Sequence, residues 1–291
     1  MISALFIGPD YAEALNHSEL LLLPELRKAK CSVPDLPVSL KNYVMVKDQS
    51  GVILCGGLME GFRLPDCFKW VFGSKDWLGF PAIPSMKVKR EYATGVQLGD
   101  LWWVTGGYDG HKAIASTELR QADGTWKTHE NLPEASYHHC MTRVNDTHVI
   151  LVGGYNRRAV LRATYLYSIK TGWKKMKDMK AGRYHHFCTM IDQDRLLVTG
   201  GYNTYQTTEV YTLSRDEWRP GPSLPKNNYG GKMITFDEKS YLIGGHYFDT
   251  EIYQLEPTGS VWWKWTKVAQ LAKRKRQYDA VAISMPECDS E

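Results

Sequence analysis

Residues 137–173 read YHHCMTRVNDTHVILVGGYNRRAVLRATYLYSIKTGW, and the order of residue types along this stretch decides the fold. Residues 149–152, VILV, form an apolar run that stops at Gly153-Gly154. About ten residues later an alternating run begins, Thr164-Tyr165-Leu166-Tyr167. Thr171-Gly172 then supplies a turn, and Trp173 closes the unit. An unbroken apolar run suits a strand covered on both faces, whereas alternation suits a half-buried one. Adjacent glycines tolerate positive φ and let a neighbouring backbone come close.

The same grammar recurs. Gly pairs stand at 56-57, 106-107, 153-154, 200-201 and 244-245, and each is followed by a Trp: Trp77, Trp126, Trp173, Trp218, and Trp263 or Trp265. That makes five copies. A second register, Tyr43, Tyr92, Tyr137, Tyr184, Tyr229 and Tyr278, makes six, each opening a short apolar strand. The sixth reads YDAVAISM and has no Gly pair after it. The N-terminus supplies what is missing: ALFIGPDY carries Gly8, and Glu19 in SELLLL takes the place held elsewhere by Asp66, Glu118, Glu209 and Glu251. The segment KCSVPDLP stands where a Trp strand belongs, with Cys31 for the Trp. The first unit is therefore expected to be split, three strands from the N-terminus and one from the C-terminus.

This pattern resembles the kelch repeat family, with a Gly pair ending the second strand, an alternating third strand and a Trp in the fourth. Arg183-Tyr184-His185-His186 and Leu132-Pro133 match its loop pattern, and the likeness covers essentially the whole chain. Pro9 in place of a second Gly and Cys31 in place of Trp depart from it. The resemblance implies an all-β fold, a six-bladed kelch β-propeller in which each blade is a four-stranded antiparallel sheet. The C-terminal strand would close the ring by pairing with the N-terminal three. The expected boundaries make one domain of residues 1–291: blade 1 from 1–33 plus 277–285, then 38–82, 88–133, 134–180, 181–225 and 226–268.

Composition is compatible with this. The 291 residues are 43% hydrophobic and 12% aromatic, enough for a large core rich in strand formers, and a formal charge of +4 points to no partner class. No apolar run approaches the length of a membrane helix, and MISALFIGPDY has neither a basic start nor a long apolar region, so no membrane span or signal peptide is expected. The six Cys include no CxxC pair. Cys140 and Cys188 occupy similar places in successive repeats, and the six are read as buried free thiols of a reducing, cytoplasmic compartment.

In a four-stranded meander, the loops from strand two to three share a rim with the loops between blades. The loops between blades carry Lys41, Lys87, Lys89, Arg90, Lys180, Arg183, Lys226 and the KRKR run 273–276, against Asp35, Glu91 and Glu134. Asp48, Asp146, Asp192, Asp194, Asp237 and Glu238 fall in the opposite turns. A basic rim favours acidic partners, and Arg suits bidentate capture of carboxylate or phosphate. The anchors expected for an acidic or phosphorylated peptide are Arg63, Arg90, Arg157, Arg158, Arg162, Arg183, Lys226, Arg274 and Arg276. Tyr155, Asn156, Tyr202, Asn203 and Tyr247 are expected as adaptable neighbours.

Catalysis is not expected. His138-His139 and His185-His186 cannot chelate through both rings, because adjacent strand residues point to opposite faces. The recurring Glu118, Glu209 and Glu251 read as repeat elements that bind nearby loops rather than as glycosidase carboxylates. Neither a hydrolase triad nor a phosphate loop nor a zinc spacing is present, and no cofactor or nucleic acid is expected. The resemblance implies a protein-interaction module, in the first instance the substrate-recognition domain of a cullin-type ubiquitin ligase adaptor. That role needs BTB and BACK regions upstream, which this stretch lacks, so it reads as an excised or free-standing domain. An actin-associated scaffold is the alternative from the same class. A copper oxidase resembling galactose oxidase is the alternative from the enzymes, and it would need a Tyr–Cys crosslink for which there is no register.

Overall fold

The structure, a computed structural model, describes residues 2–7, 18–23, 25–28, 33–79, 81–99, 101–246, 250–258, 263–272 and 279–285. It is an all-β propeller of four-stranded antiparallel sheets. Repeats two to six each form one sheet in simple meander order. Repeat four, for example, pairs Cys140–Asn145 with His148–Val152, then Thr164–Ser168, then Gly172–Met176. A further four-stranded sheet is composite: Ala280–Met285 pairs with Ile2–Ile7, which pairs with Glu19–Leu22 and then Arg27–Lys28. Among the described residues no helix is long and apolar enough to cross a membrane.

The core lies in the seams between sheets. Val44, Val46 and Ile53 of repeat two pack with Val104 and Trp126 of repeat three. Ile150 and Val152 of repeat four meet Tyr211 and Trp218 of repeat five in the same way. The composite sheet is held from both sides, Leu20 and Ile283 against repeat two, and Leu21 and Leu23 against repeat six. In four repeats the closing Trp also reaches back to the loop before it. Trp77, Trp126 and Trp265 donate their indole N–H to the carbonyls of Pro34, Pro84 and Pro222, and Trp218 donates to Lys177. This assigns Trp265, rather than Trp263, to the repeat position.

The Tyr register is not a single structural position. Two residues before each inner strand, Asn42, Tyr92, His138, His185 and Gly230 all have φ between 53° and 71°. Tyr137, Tyr184 and Tyr229 precede that position, and Tyr43 follows it. The left-handed turn lets each amide reach the previous repeat: Tyr92 donates to the Asn42 carbonyl, His138 to Tyr92, His185 to His138, and Gly230 to His185, at 3.0–3.3 Å. This backbone relay runs from repeat six back to repeat two along the mouth of the central channel.

The free-thiol expectation is corrected for four of the six cysteines, and Cys31 and Cys288 lie outside the described residues. Cys55 and Cys67, directly opposite on adjacent strands of repeat two, form a disulfide, and so do Cys140 and Cys188 on neighbouring inner strands of repeats four and five. Equivalent positions of successive repeats face each other across a seam, so two Cys at one repeat position can bond.

Candidate functional site

The loops from strand two to three do share a rim with the loops between repeats. Lys41 bridges to Leu58, Glu91 to Tyr108, and Tyr137 to Tyr155, each joining one loop type to the other.

Burial divides the basic residues expected there. Arg90 and Arg183 are 1% exposed and cannot serve as surface anchors. Each guanidinium caps its own repeat from within. Arg183 donates to the carbonyls of Gly200 and Thr207 and to a carboxylate oxygen of Glu209. Arg90 does the same with Gly106, Ser116 and Glu118. The second carboxylate oxygen of Glu118 accepts the Lys87 amide, and that of Glu209 the Lys180 amide, so the recurring acid holds the incoming loop. Burial lowers the pKa of both arginines, and the paired carboxylate opposes that shift. Repeat four lacks both members, with Ser136 and Tyr165 at the corresponding places, as if the pair were kept or lost as a unit.

Other expected anchors are exposed yet neutralised. Arg63 pairs with buried Glu91 at 2.7 Å, and Lys226 pairs with Glu251 at 2.7 Å. Arg158 and Arg162 are exposed and, with Lys112, make no ion pair among the described residues. Arg157 is held by neutral acceptors only, the Tyr108 hydroxyl at 2.6 Å and the His111 carbonyl at 3.1 Å, so its charge stays uncompensated. Asn156 shapes the turn by accepting the Arg158 and Ala159 amides through Oδ1, and its Nδ2 donates to Glu134. Lys112, Glu134, Asn156, Arg157 and Arg158 line a cavity of about 360 Å³ between the loops of repeats three and four. Tyr247, Arg274 and Arg276 lie outside the described residues.

A second feature was only half visible in the sequence. From repeat three to repeat six the aromatic residue after the Gly pair packs against the aromatic residue before an inner strand, producing one continuous arc. From Tyr108 the ring centroids step 5.4 Å to Tyr137, 5.5 Å to Tyr155, 5.3 Å to Tyr184, 5.5 Å to Tyr202 and 5.5 Å to Tyr229, then 4.6 Å to His246. Tyr155 and Tyr202 were expected at the site; Tyr108, Tyr137, Tyr184 and Tyr229 were missed, although the recurring GGY triplets announce the first of them. Tyr202 is 40% exposed, and Phe62, on the hairpin next to Arg63, is 73% exposed. Asn203 is exposed beside Tyr202. The guanidiniums of Arg63 and Arg157 lie 5.4 and 5.5 Å from the Tyr108 ring centre, favourable cation–π geometry. Burial pushes the pKa of the Tyr137 and Tyr184 hydroxyls up, which keeps both phenols neutral.

Inside the mouth, Tyr92, His138 and His185 stack around the axis. Burial holds His138 well below the usual imidazole range and His185 down at about 4, so both are neutral at pH 7. His139 accepts or donates to Ser136 and Thr105 within a seam. Among the described residues, no three His, Cys, Asp or Glu side chains gather as a metal site.

No family model matches the chain. The chain is similar to kelch-like protein 23 of Homo sapiens. The two are 30% identical over 81 residues, which is 28% of this chain and 14% of that protein. The match and the repeated four-stranded sheets together support a kelch-repeat propeller.

Proposed function

We propose that this chain is a non-catalytic protein-interaction module whose six sheets close into a ring, and that it binds an acidic or phosphorylated segment of a partner protein beside Lys112, Arg157 and Arg158. The observation that carries the site is the contrast in compensation. Arg63, Arg90, Arg183 and Lys226 are each matched by a carboxylate, whereas Arg157, Arg158 and Arg162 are not. Two acids lie near that patch, Asp109, which accepts the His111 and Lys112 amides, and Glu134, which accepts from Asn156, and the three cations Lys112, Arg157 and Arg158 outnumber them. The adjoining Tyr arc supplies rigid, amphipathic contact area of the kind that dominates interface energetics. Closure is supported by the pairing of Ala280–Met285 with Ile2–Ile7 and by the composite sheet's packing on repeats two and six.

The resemblance favours the substrate-recognition domain of a cullin-type ligase adaptor, with an actin-associated scaffold as the alternative. Co-purification of a cullin with the full-length protein supports the first, and co-sedimentation with actin filaments supports the second. Both settings are cytoplasmic, and the two disulfides weigh against a reducing compartment. The interaction reading itself depends on neither setting. Its test is the double variant Arg157→Glu/Arg158→Glu in a comparative pull-down from cell extract. Exposed loop charges contribute little to folding, so the melting temperature should hold within a few degrees while the captured proteins are lost. Capture of the same proteins by the variant would exclude this site.

A further inference from the structure

The two disulfides differ in what can reach them. Cys55 and Cys67 are 1% and 0% exposed and sit among Val44, Ile53, Val104 and Trp126 in the seam core. Cys140 and Cys188 instead line the central channel, a cavity of about 490 Å³ bounded by the inner strands. Cys188 is 5% exposed and Cys140 is half-buried. A cavity of this size admits a small organic molecule, and its lining carries three cations, Lys47, Arg143 and Lys232, against one carboxylate, Asp279, a balance that favours an anion.

We propose that Cys140–Cys188 is a thiol-exchange site, open through the channel to small thiols, while Cys55–Cys67 is sealed. A thiolate entering the channel attacks the more exposed sulfur, Cys140 Sγ. The S–S bond breaks, Cys188 leaves as a thiolate and takes up a proton, and Cys140 carries a mixed disulfide. A second thiol then attacks the mixed disulfide, releasing the oxidised small molecule and leaving two protein thiols. Two electrons pass from the two small thiols to the protein disulfide. The exchange severs the covalent tie between inner strands Cys140–Asn145 and Phe187–Met190, and so between repeats four and five. The difference in access sets the two rates apart, because exchange at a sealed bond must wait for local unfolding.

The test is treatment of the folded, full-length protein with glutathione, followed by alkylation, digestion and mass spectrometry of each cysteine peptide. Label at Cys140 and Cys188 should accumulate at least about tenfold faster than at Cys55 and Cys67. Equal rates for the two pairs, or reaction of Cys140 and Cys188 only under denaturing conditions, would overturn the proposal. A Cys188→Ser variant separates access from stability. Its free Cys140 should form an adduct with oxidised glutathione while circular dichroism remains native, and a folded variant that stays unmodified would also refute it.

Discussion

Replacing Arg183 with Ser tests whether the basic residues between repeats are structure or site. Arg183 is 1% exposed, and its guanidinium is the donor to two carbonyls, the Thr207 hydroxyl and the Glu209 carboxylate at distances of 2.8–3.2 Å. The serine would leave Glu209, itself 5% exposed, as a buried charge with only the Lys180 and Ala181 amides for company. Breaking a buried pair on one side costs about 3–5 kcal/mol. For a chain of this size that is a fall in melting temperature of roughly 5–8 °C. The molecule contains its own control, since repeat four does without the pair by placing Ser136 and Tyr165 there. The double variant Arg183→Ser/Glu209→Tyr should therefore regain most of the loss, because the charge is removed together with its counter-charge. Urea unfolding of wild type, single and double variants measures all three. A single variant within about 1 kcal/mol of wild type would refute the structural role, given that most buried-pair truncations cost several times more.

Two further outcomes follow from buried groups. His139 and His186 are 4% and 7% exposed, and burial depresses their folded-state pKa values to about 4 and about 3, against 6.5 for the free group. Between those limits the unfolded chain binds protons that the folded chain refuses, so stability is full above about pH 6.5 and falls as acid is added, by up to ~2.7 kcal/mol per pH unit for the pair. Urea midpoints at pH 7, 6 and 5 should decline, and His186→Leu should flatten the slope; a level profile contradicts the burial. Asp279 accepts the Met45 amide of repeat two and pairs with Lys232 of repeat six at 2.6 Å. Asp279→Ala should cost about 2–4 kcal/mol, because a buried cross-seam pair loses one partner; an unchanged melting temperature would show that the composite sheet does not join these repeats.

The framework was legible because Gly pairs and Trp residues mark backbone events that few other residues can perform. At Gly153, for instance, a Cβ would lie 2.6 Å from the Arg183 carbonyl oxygen, at a φ of 60°. Charge was less legible. Counting loop arginines treats each as exposed, yet Arg90 and Glu118 are 28 residues apart, and only the meander returns one to the other. The recurrence of those acids was visible, as was that of the arginines. That repeat four lacks both was the available clue to their pairing. The cysteines were misread for a related reason. Similar places in successive repeats point to burial, but in a propeller they also mean adjacency across a seam.

The distribution of strain gives the rim its mechanical character. Asn42, Tyr92, His138 and His185 hold φ values of 53–58° that cost non-glycine residues on the order of 1 kcal/mol each, and repeat six relaxes this with Gly230. Such a conformation persists only where its surroundings over-determine it, and here the amide relay from repeat to repeat does so. Every loop that carries Arg157, Arg158 or the Tyr arc springs from a residue next to that relay or bridged to it. Residues on such a frame are preorganised, so a partner meets side chains whose backbone entropy has already been lost. A flexible rim could bind the same acidic segment, but it would have to order itself first and would lose affinity in proportion. The positive φ at Arg157 itself, 72°, belongs to the same economy: the turn that turns the guanidinium toward Tyr108 is formed before any ligand arrives.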